Sequence, residues 1–126
     1  MNLRRLFTIN IFIALFFGVS CAFFPRFVFW LYGLQPEVES IWATRLVGGS
    51  ILGFATLMWF GMRSASAQVQ RAIALALLIQ DAIGCAASLE FQLRGRANAF
   101  GWFGLAVYGV MALAYATLLL THPKES

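Results

Sequence analysis

Four solidly apolar runs decide what this chain can fold into; they cover 6–24, 41–62, 72–91 and 99–120. A helix of about 20 residues rises ~30 Å, the thickness of a bilayer's hydrocarbon core. Lipid offers the backbone no hydrogen-bond partner, so a spanning segment must be a helix or part of a closed barrel. Barrel strands alternate polar and apolar residues with a period of two, and these runs do not. Composition agrees, with 61% of the 126 residues hydrophobic and 11% charged, against roughly 25% charged in a soluble domain. A soluble fold of this size leaves too much surface wet to hide so many apolar residues. The expected class is an all-α integral membrane protein, a four-transmembrane-helix up-down bundle forming a single domain over 1–126. Its surroundings are the lipid bilayer.

The breaks between the runs read "PRFVFWLYGLQPEVES", "RSASAQVQR" and "QLRGRAN". They leave no room for a soluble domain and are short enough to make sequential helices antiparallel neighbours. After Pro25, "FVFWLYG" is aromatic and apolar but too short to span. It is expected as an interfacial segment in the first outer loop, with Trp30 and Tyr32 as headgroup anchors. The sharper alternative makes it a lid over an outward-facing cavity. Trp42, Trp59 and Trp102 fall near span ends and complete an aromatic belt.

Arg4 and Arg5 before the first run, with "GVSC" at 18–21, resemble a secretion signal. However, Gly18 stands where such a cleavage box has leucine, and "AFFPRF" continues where a polar linker would begin, so the run is retained as a helix. Arg4, Arg5, Arg63, Arg71 and Lys124 fall on one side of the bundle, and Arg26, Arg94 and Arg96 on the other. Both termini are therefore expected in the cytoplasm. The net charge of +4 suits anionic headgroups. No basic stripe is interleaved with exposed aromatics, so no nucleic-acid partner is expected.

At 100° per residue each run divides into two faces. Small and polar residues share one: Asn10, Ala14, Gly18 and Cys21 in the first run; Arg45, Gly48, Gly49, Thr56 and Trp59 in the second; Ala74, Asp81, Gly84, Ser88 and Gln92 in the third; Gly101, Gly104, Tyr108 and Tyr115 in the fourth. Large apolar residues take the other, including Phe12, Phe16 and Phe23 in the first run and Val47, Ile51, Phe54 and Met58 in the second. Helices in lipid associate through close backbone approach, so the small face is the expected contact face, and the Gly49-xxx-Gly53 spacing fits a packing seam.

Charged and polar residues inside the spans are the candidate site. Asp81 falls near the midplane, where a carboxylate is costly unless it is paired, hydrated or protonated. Arg45 lies about six residues nearer the outer surface, ~9 Å away along the bundle axis. Side chains lean toward their helix N-terminus, so Arg45 leans outward and Asp81 inward. Arg45 is therefore expected to reach the headgroups and loop carbonyls. Tyr108 lies level with Asp81, and Asn10 with Tyr115 one layer below. Asn10/Tyr115, Asp81/Tyr108 and Arg45 make either a polar track for a proton or ligand, or a set of interhelical hydrogen bonds. Glu90 stands four residues before Arg94, the favourable order for a helical ion pair.

Enzyme chemistry is not expected. The single histidine, His122, is in the tail. No cluster of metal or haem ligands and no nucleophile–base–acid set can be assembled, so neither metal nor cofactor is expected. Cys21 and Cys85 sit in apolar surroundings, where thiols are inert. The glycines of "GGSILG" lie inside a spanning helix and serve packing.

"FFPRFVFWLYGL", "ATRLVGGSILGFATLMWF", "RAIALALLIQDAIG" and "NAFGWFGLAVYGV" resemble small bacterial inner-membrane proteins of unknown function with four helices. In these an arginine precedes glycines in the second helix and Gly-Trp enters the fourth. The outline is also similar to DoxX-like four-helix proteins. The resemblance implies a bacterial inner membrane and carries over no active residues. Small multidrug transporters have similar length but an essential glutamate in their first helix, which has no acid here. The function expected is a non-enzymatic accessory or binding subunit, docking on another membrane protein or on a second copy of itself. The alternative is a proton-linked carrier or ligand- or quinone-binding protein using Asp81 and Arg45.

Overall fold

The computed structural model describes residues 2–121. Five helices follow in order: α1 (Leu3–Phe23), α2 (Pro25–Tyr32), α3 (Val38–Arg63), α4 (Ala67–Leu93) and α5 (Phe100–Thr121), with no strand among the described residues. The chain is all-α, and α1, α3, α4 and α5 are each long and apolar enough to cross a membrane. His122 and Lys124 lie outside the described residues.

Local chemistry sets the ends of these helices. Asn2 Oδ1 accepts the Arg5 amide at 3.0 Å and opens α1. Pro25 occupies the first turn of α2, where its missing N–H costs nothing. Gly33 ends α2 in the left-handed region, at φ 72°, which only glycine adopts without penalty. Ser66 Oγ accepts the Val69 amide at 3.2 Å, so α4 starts at Ala67 and absorbs "AQVQR", which was expected in the break. Alanine, glutamine and arginine are good helix formers, and a polar first turn can stand outside the hydrocarbon. Asn98 Oδ1 accepts the Phe100 amide at 3.0 Å at the entry to α5.

The spanning helices pack as two pairs, α1 with α3 and α4 with α5, and the pairs meet more loosely. Gly48 makes the first pair possible. A Cβ there would stand 2.8 Å from Ala22 Cα and from the Cys21 carbonyl carbon, backbone atoms that cannot turn aside. Gly18 receives α3 in turn, with Leu52 Cδ2 at 2.8 Å from the Cβ position. The small-residue faces of α1, α4 and α5 turn inward as expected, with Ala14, Ala74, Asp81 and Gly104 buried and Phe12 and Phe23 exposed on the outer surface.

The second run needs correcting. Gly49 and Gly53 have nothing within 4 Å of their Cβ positions, so neither packs against another helix of this chain. Thr56 and Trp59 are exposed, whereas Met58 is buried and Ile51 and Phe54 are half-buried against the interior, with Val47 at its open edge. Successive residues lie 100° apart, and α1 arrives on the side of Gly48, which rotates Gly49 and Gly53 outward. Glycine spacing marks where a helix could approach but not which side is taken.

Tyr115, Phe7, Met58 and Leu77 are the largest fully buried side chains. They close the end of the bundle at which α1 begins and α5 ends. Arg4 donates to the Ser64 carbonyl at 3.1 Å, Gln70 to the Gly61 carbonyl at 3.1 Å, and Arg71 to the Leu119 carbonyl at 3.3 Å. These bonds bring side-chain donors to carbonyls at the C-terminal ends of α3 and α5.

The α1–α3 seam has a direct test. Gly48→Ala should destabilise the protein by about 1–3 kcal/mol, the usual cost of overpacking, in reversible unfolding from mixed micelles. Gly53→Ala, with open space at its Cβ, should leave stability unchanged or raise it by up to about 1 kcal/mol. The opposite ranking would reverse the face assigned to α3.

Candidate functional site

The loose meeting of the two pairs leaves a cavity of about 130 Å³. Its walls are largely apolar and include Ala14 and Phe17 of α1, Ile51 and Phe54 of α3, and Val107 and Met111 of α5. It is not sealed, since Val47, another wall residue, is 49% exposed.

Polar groups enter it in layers. At the floor, Asn10 Nδ2 donates to the Tyr115 hydroxyl at 2.8 Å, and that hydroxyl donates to Met58 Sδ at 3.7 Å. This is the lower layer expected from the sequence, and it links α1, α5 and α3. Asp81 lines the wall above and is 6% exposed. Its Oδ2 is buried with no hydrogen-bond partner among the described residues. The Tyr108 ring lies over Gly84, one turn along α4 from Asp81; a Cβ on Gly84 would stand 2.6 Å from that ring. Gly84 therefore makes room for the tyrosine.

The roof is α2, which contributes Val28 and Tyr32. Tyr32, expected as a headgroup anchor, is half-buried, and its hydroxyl rests on Gly104. Burial pushes the Tyr32 phenol above its ordinary pKa, and Tyr108 and Cys21 add to the shift. The hydroxyl therefore keeps its proton as a donor. Asn98 fixes the roof to the α4–α5 loop. Its Nδ2 donates to the Leu31 carbonyl at 2.9 Å and its backbone amide to the Tyr32 carbonyl at 3.0 Å. Gln92, buried against Gly101, holds Asn98 from behind by donating to its carbonyl at 3.0 Å. Sequence reasoning missed Asn98. An asparagine just before an apolar run is readable as a helix cap, but its bonds to α2 join residues far apart in the chain.

Arg45 does not join this site. It is exposed, lines no part of the cavity, and makes no hydrogen bond to the loop carbonyls and no ion pair among the described residues. Arg45 and Asp81 form no ion pair with each other, in keeping with the opposed lean of the two side chains. Trp30, Trp42, Trp59 and Trp102 are all exposed. Trp30 stacks on Phe27 with centroids 6.1 Å apart, and the Arg63 guanidinium sits 5.4 Å from the Trp59 ring. Glu90 and Arg94 form the expected ion pair at 3.0 Å, well exposed and so of little energetic weight. Cys21 and Cys85 are free thiols. Among the described residues no group of three or more potential ligands could hold a metal ion.

No protein-family model matches this chain, and no curated protein or solved structure matches it either.

The floor bond is measurable. In a double-mutant cycle on Asn10→Ala and Tyr115→Phe, read by unfolding in mixed micelles, the coupling should be about 0.6 kcal/mol and no more than ~1.7 kcal/mol. A coupling of zero would mean that the two side chains do not bond in the membrane.

Proposed function

We propose that this chain is a non-enzymatic membrane protein that binds a small, largely apolar ligand in the cavity between its two helix pairs. Asp81 carries the reading. Buried polar atoms in native proteins nearly always have partners, and each exception calls for one. Here the exception belongs to a carboxylate in a membrane-spanning helix, lining a cavity. Apolar walls with a few converging polar groups are the usual make-up of a small-molecule site. The roof supports the reading too, because α2, held by Asn98, brings Val28 and Tyr32 over the cavity and encloses it on that side.

We place the protein in a bacterial inner membrane with both termini cytoplasmic. The distribution of lysine and arginine supports the orientation, and the likeness to small bacterial four-helix proteins with a DoxX-like outline supports the location. An accessory role is the second reading. The exposed Phe27–Trp30 stack on α2 and the open flank at Gly49 and Gly53 are the surfaces it would use.

Thermal unfolding of the detergent-purified protein tests the binding reading. A ligand at ~100 times its Kd adds about 2.7 kcal/mol to stability. Among neutral and charged aromatic compounds, from the size of benzene, which a closed cavity of about 150 Å³ holds, up to about ten non-hydrogen atoms with the excess projecting through the open wall, at least one should raise Tm. Val47→Trp, which adds bulk at the open wall, should abolish the rise, read against the variant's own unliganded Tm. If no compound raises Tm, or if the rise survives Val47→Trp, the cavity is not a binding site.

A further inference from the structure

We infer that the ligand is a monoamine, bound as its ammonium ion beside Asp81 in exchange for a proton. This rests on the cavity being a binding site and adds the charge of what it takes.

Asp81 is more than nine-tenths buried, and its Oδ2 has no donor. The polar groups at the floor are committed to one another, because Asn10 donates to Tyr115 and Tyr115 to Met58. Among the described residues no cationic side chain lines the cavity. The titratable groups that share the cavity with Asp81 are Cys21 on α1, Tyr32 on α2 and Tyr108 on α5; Tyr115 on α5 also interacts with it, Cys85 follows one turn along α4, and α3 contributes none to the wall. All of these are neutral when protonated, and Arg45 lies outside. A carboxyl group in such a place has two ways to avoid an isolated charge: it keeps a proton, or it pairs with an incoming cation.

The walls favour the cation as a guest. Phe17, Phe54, Tyr32 and Tyr108 line the same cavity. Aromatic faces attract an ammonium ion, more so where water is scarce, and they also accept an apolar body. A neutral alcohol would use the second property but not the first. A carboxylate guest would bury its own charge in a cavity lined by no cation, and would be repelled once Asp81 ionised.

The exchange balances. The ammonium ion enters, the Asp81 carboxyl releases one proton to the aqueous phase, and an ion pair remains, with no covalent bond made or broken in the ligand. Occupancy therefore rises with pH while Asp81 would otherwise hold its proton, by up to tenfold in affinity per pH unit. The dependence levels off once the carboxyl is already ionised.

Three probes of similar shape test this in nanodiscs: 2-phenylethylamine, 2-phenylethanol and phenylacetate. The amine should bind wild type at least tenfold more tightly than the alcohol, with phenylacetate weakest. Amine binding in weak buffer should release up to one proton per site, more at lower pH. Asp81→Asn should erase the preference of amine over alcohol and the proton release, while Val47→Trp should weaken amine and alcohol together. Proton release is read on the wild type, so the test survives poor folding of Asp81→Asn. Equal binding of amine and alcohol, both sensitive to Val47→Trp, would overturn the amine assignment and leave the cavity as a binding site. Failure of all three probes to bind would overturn both. Tightest binding by phenylacetate, or amine binding without proton release across the pH range, would overturn the amine assignment alone.

Discussion

The close approach of α1 and α3 at Gly48 organises the bundle. Four helices in lipid gain nothing from hiding apolar surface from water, so they associate where backbones can come near. Gly48 lets α3 lie against the Cys21–Ala22 backbone, and Gly18 receives Leu52. The α4–α5 pair has its own openings: Gly84 accommodates the Tyr108 ring, and Gly101 the Gln92 side chain. With each pair tight in itself, the two meet less closely, and the space between them is the cavity. Packing within the pairs thus produces the site.

That arrangement explains the unequal treatment of the polar residues. Asn10 and Tyr115 lie where α1 and α5 come within reach, and they bond to one another. Asp81 lies where the pairs part, and no side chain from α1 or α3 reaches its Oδ2. The roof completes the enclosure. α2 is too short to span, yet Asn98 and Gln92 tie it to the far pair, so it bridges the two halves above the gap.

Much of this was legible in the sequence. The apolar runs specified four spanning helices, and the small-residue stripes of α1, α4 and α5 specified their inward faces. The Asn10–Tyr115 layer followed from counting depth along antiparallel helices. α3 was misread because both of its flanks carry small residues, and only the position of α1 decides between Gly48 and Gly49. Tyr32 was taken for a lipid anchor because an aromatic residue in a short loop looks alike whether it faces headgroups or a cavity. The difference lies in Gly104, in a distant part of the chain, which leaves space for the hydroxyl. The missing partner of Asp81 could not be read at all, since the sequence offered Tyr108 at the same depth. Only the placement of that ring over Gly84 shows that depth alone does not make a bond.

The most direct measurement replaces Asp81 with an apolar residue of similar size and follows stability. Removing one member of a buried hydrogen-bonded pair leaves the other unsatisfied and costs about 1–3 kcal/mol, whereas replacing a group that has no partner by a matched apolar one leaves nothing unsatisfied and is neutral or stabilising. An unpaired carboxylate facing an open cavity predicts that Asp81→Leu unfolds in mixed micelles at the same denaturing-detergent fraction as wild type, or a higher one. A loss of about 1 kcal/mol or more would mean that Asp81 has an internal partner, and would contradict an account in which its partner is a ligand.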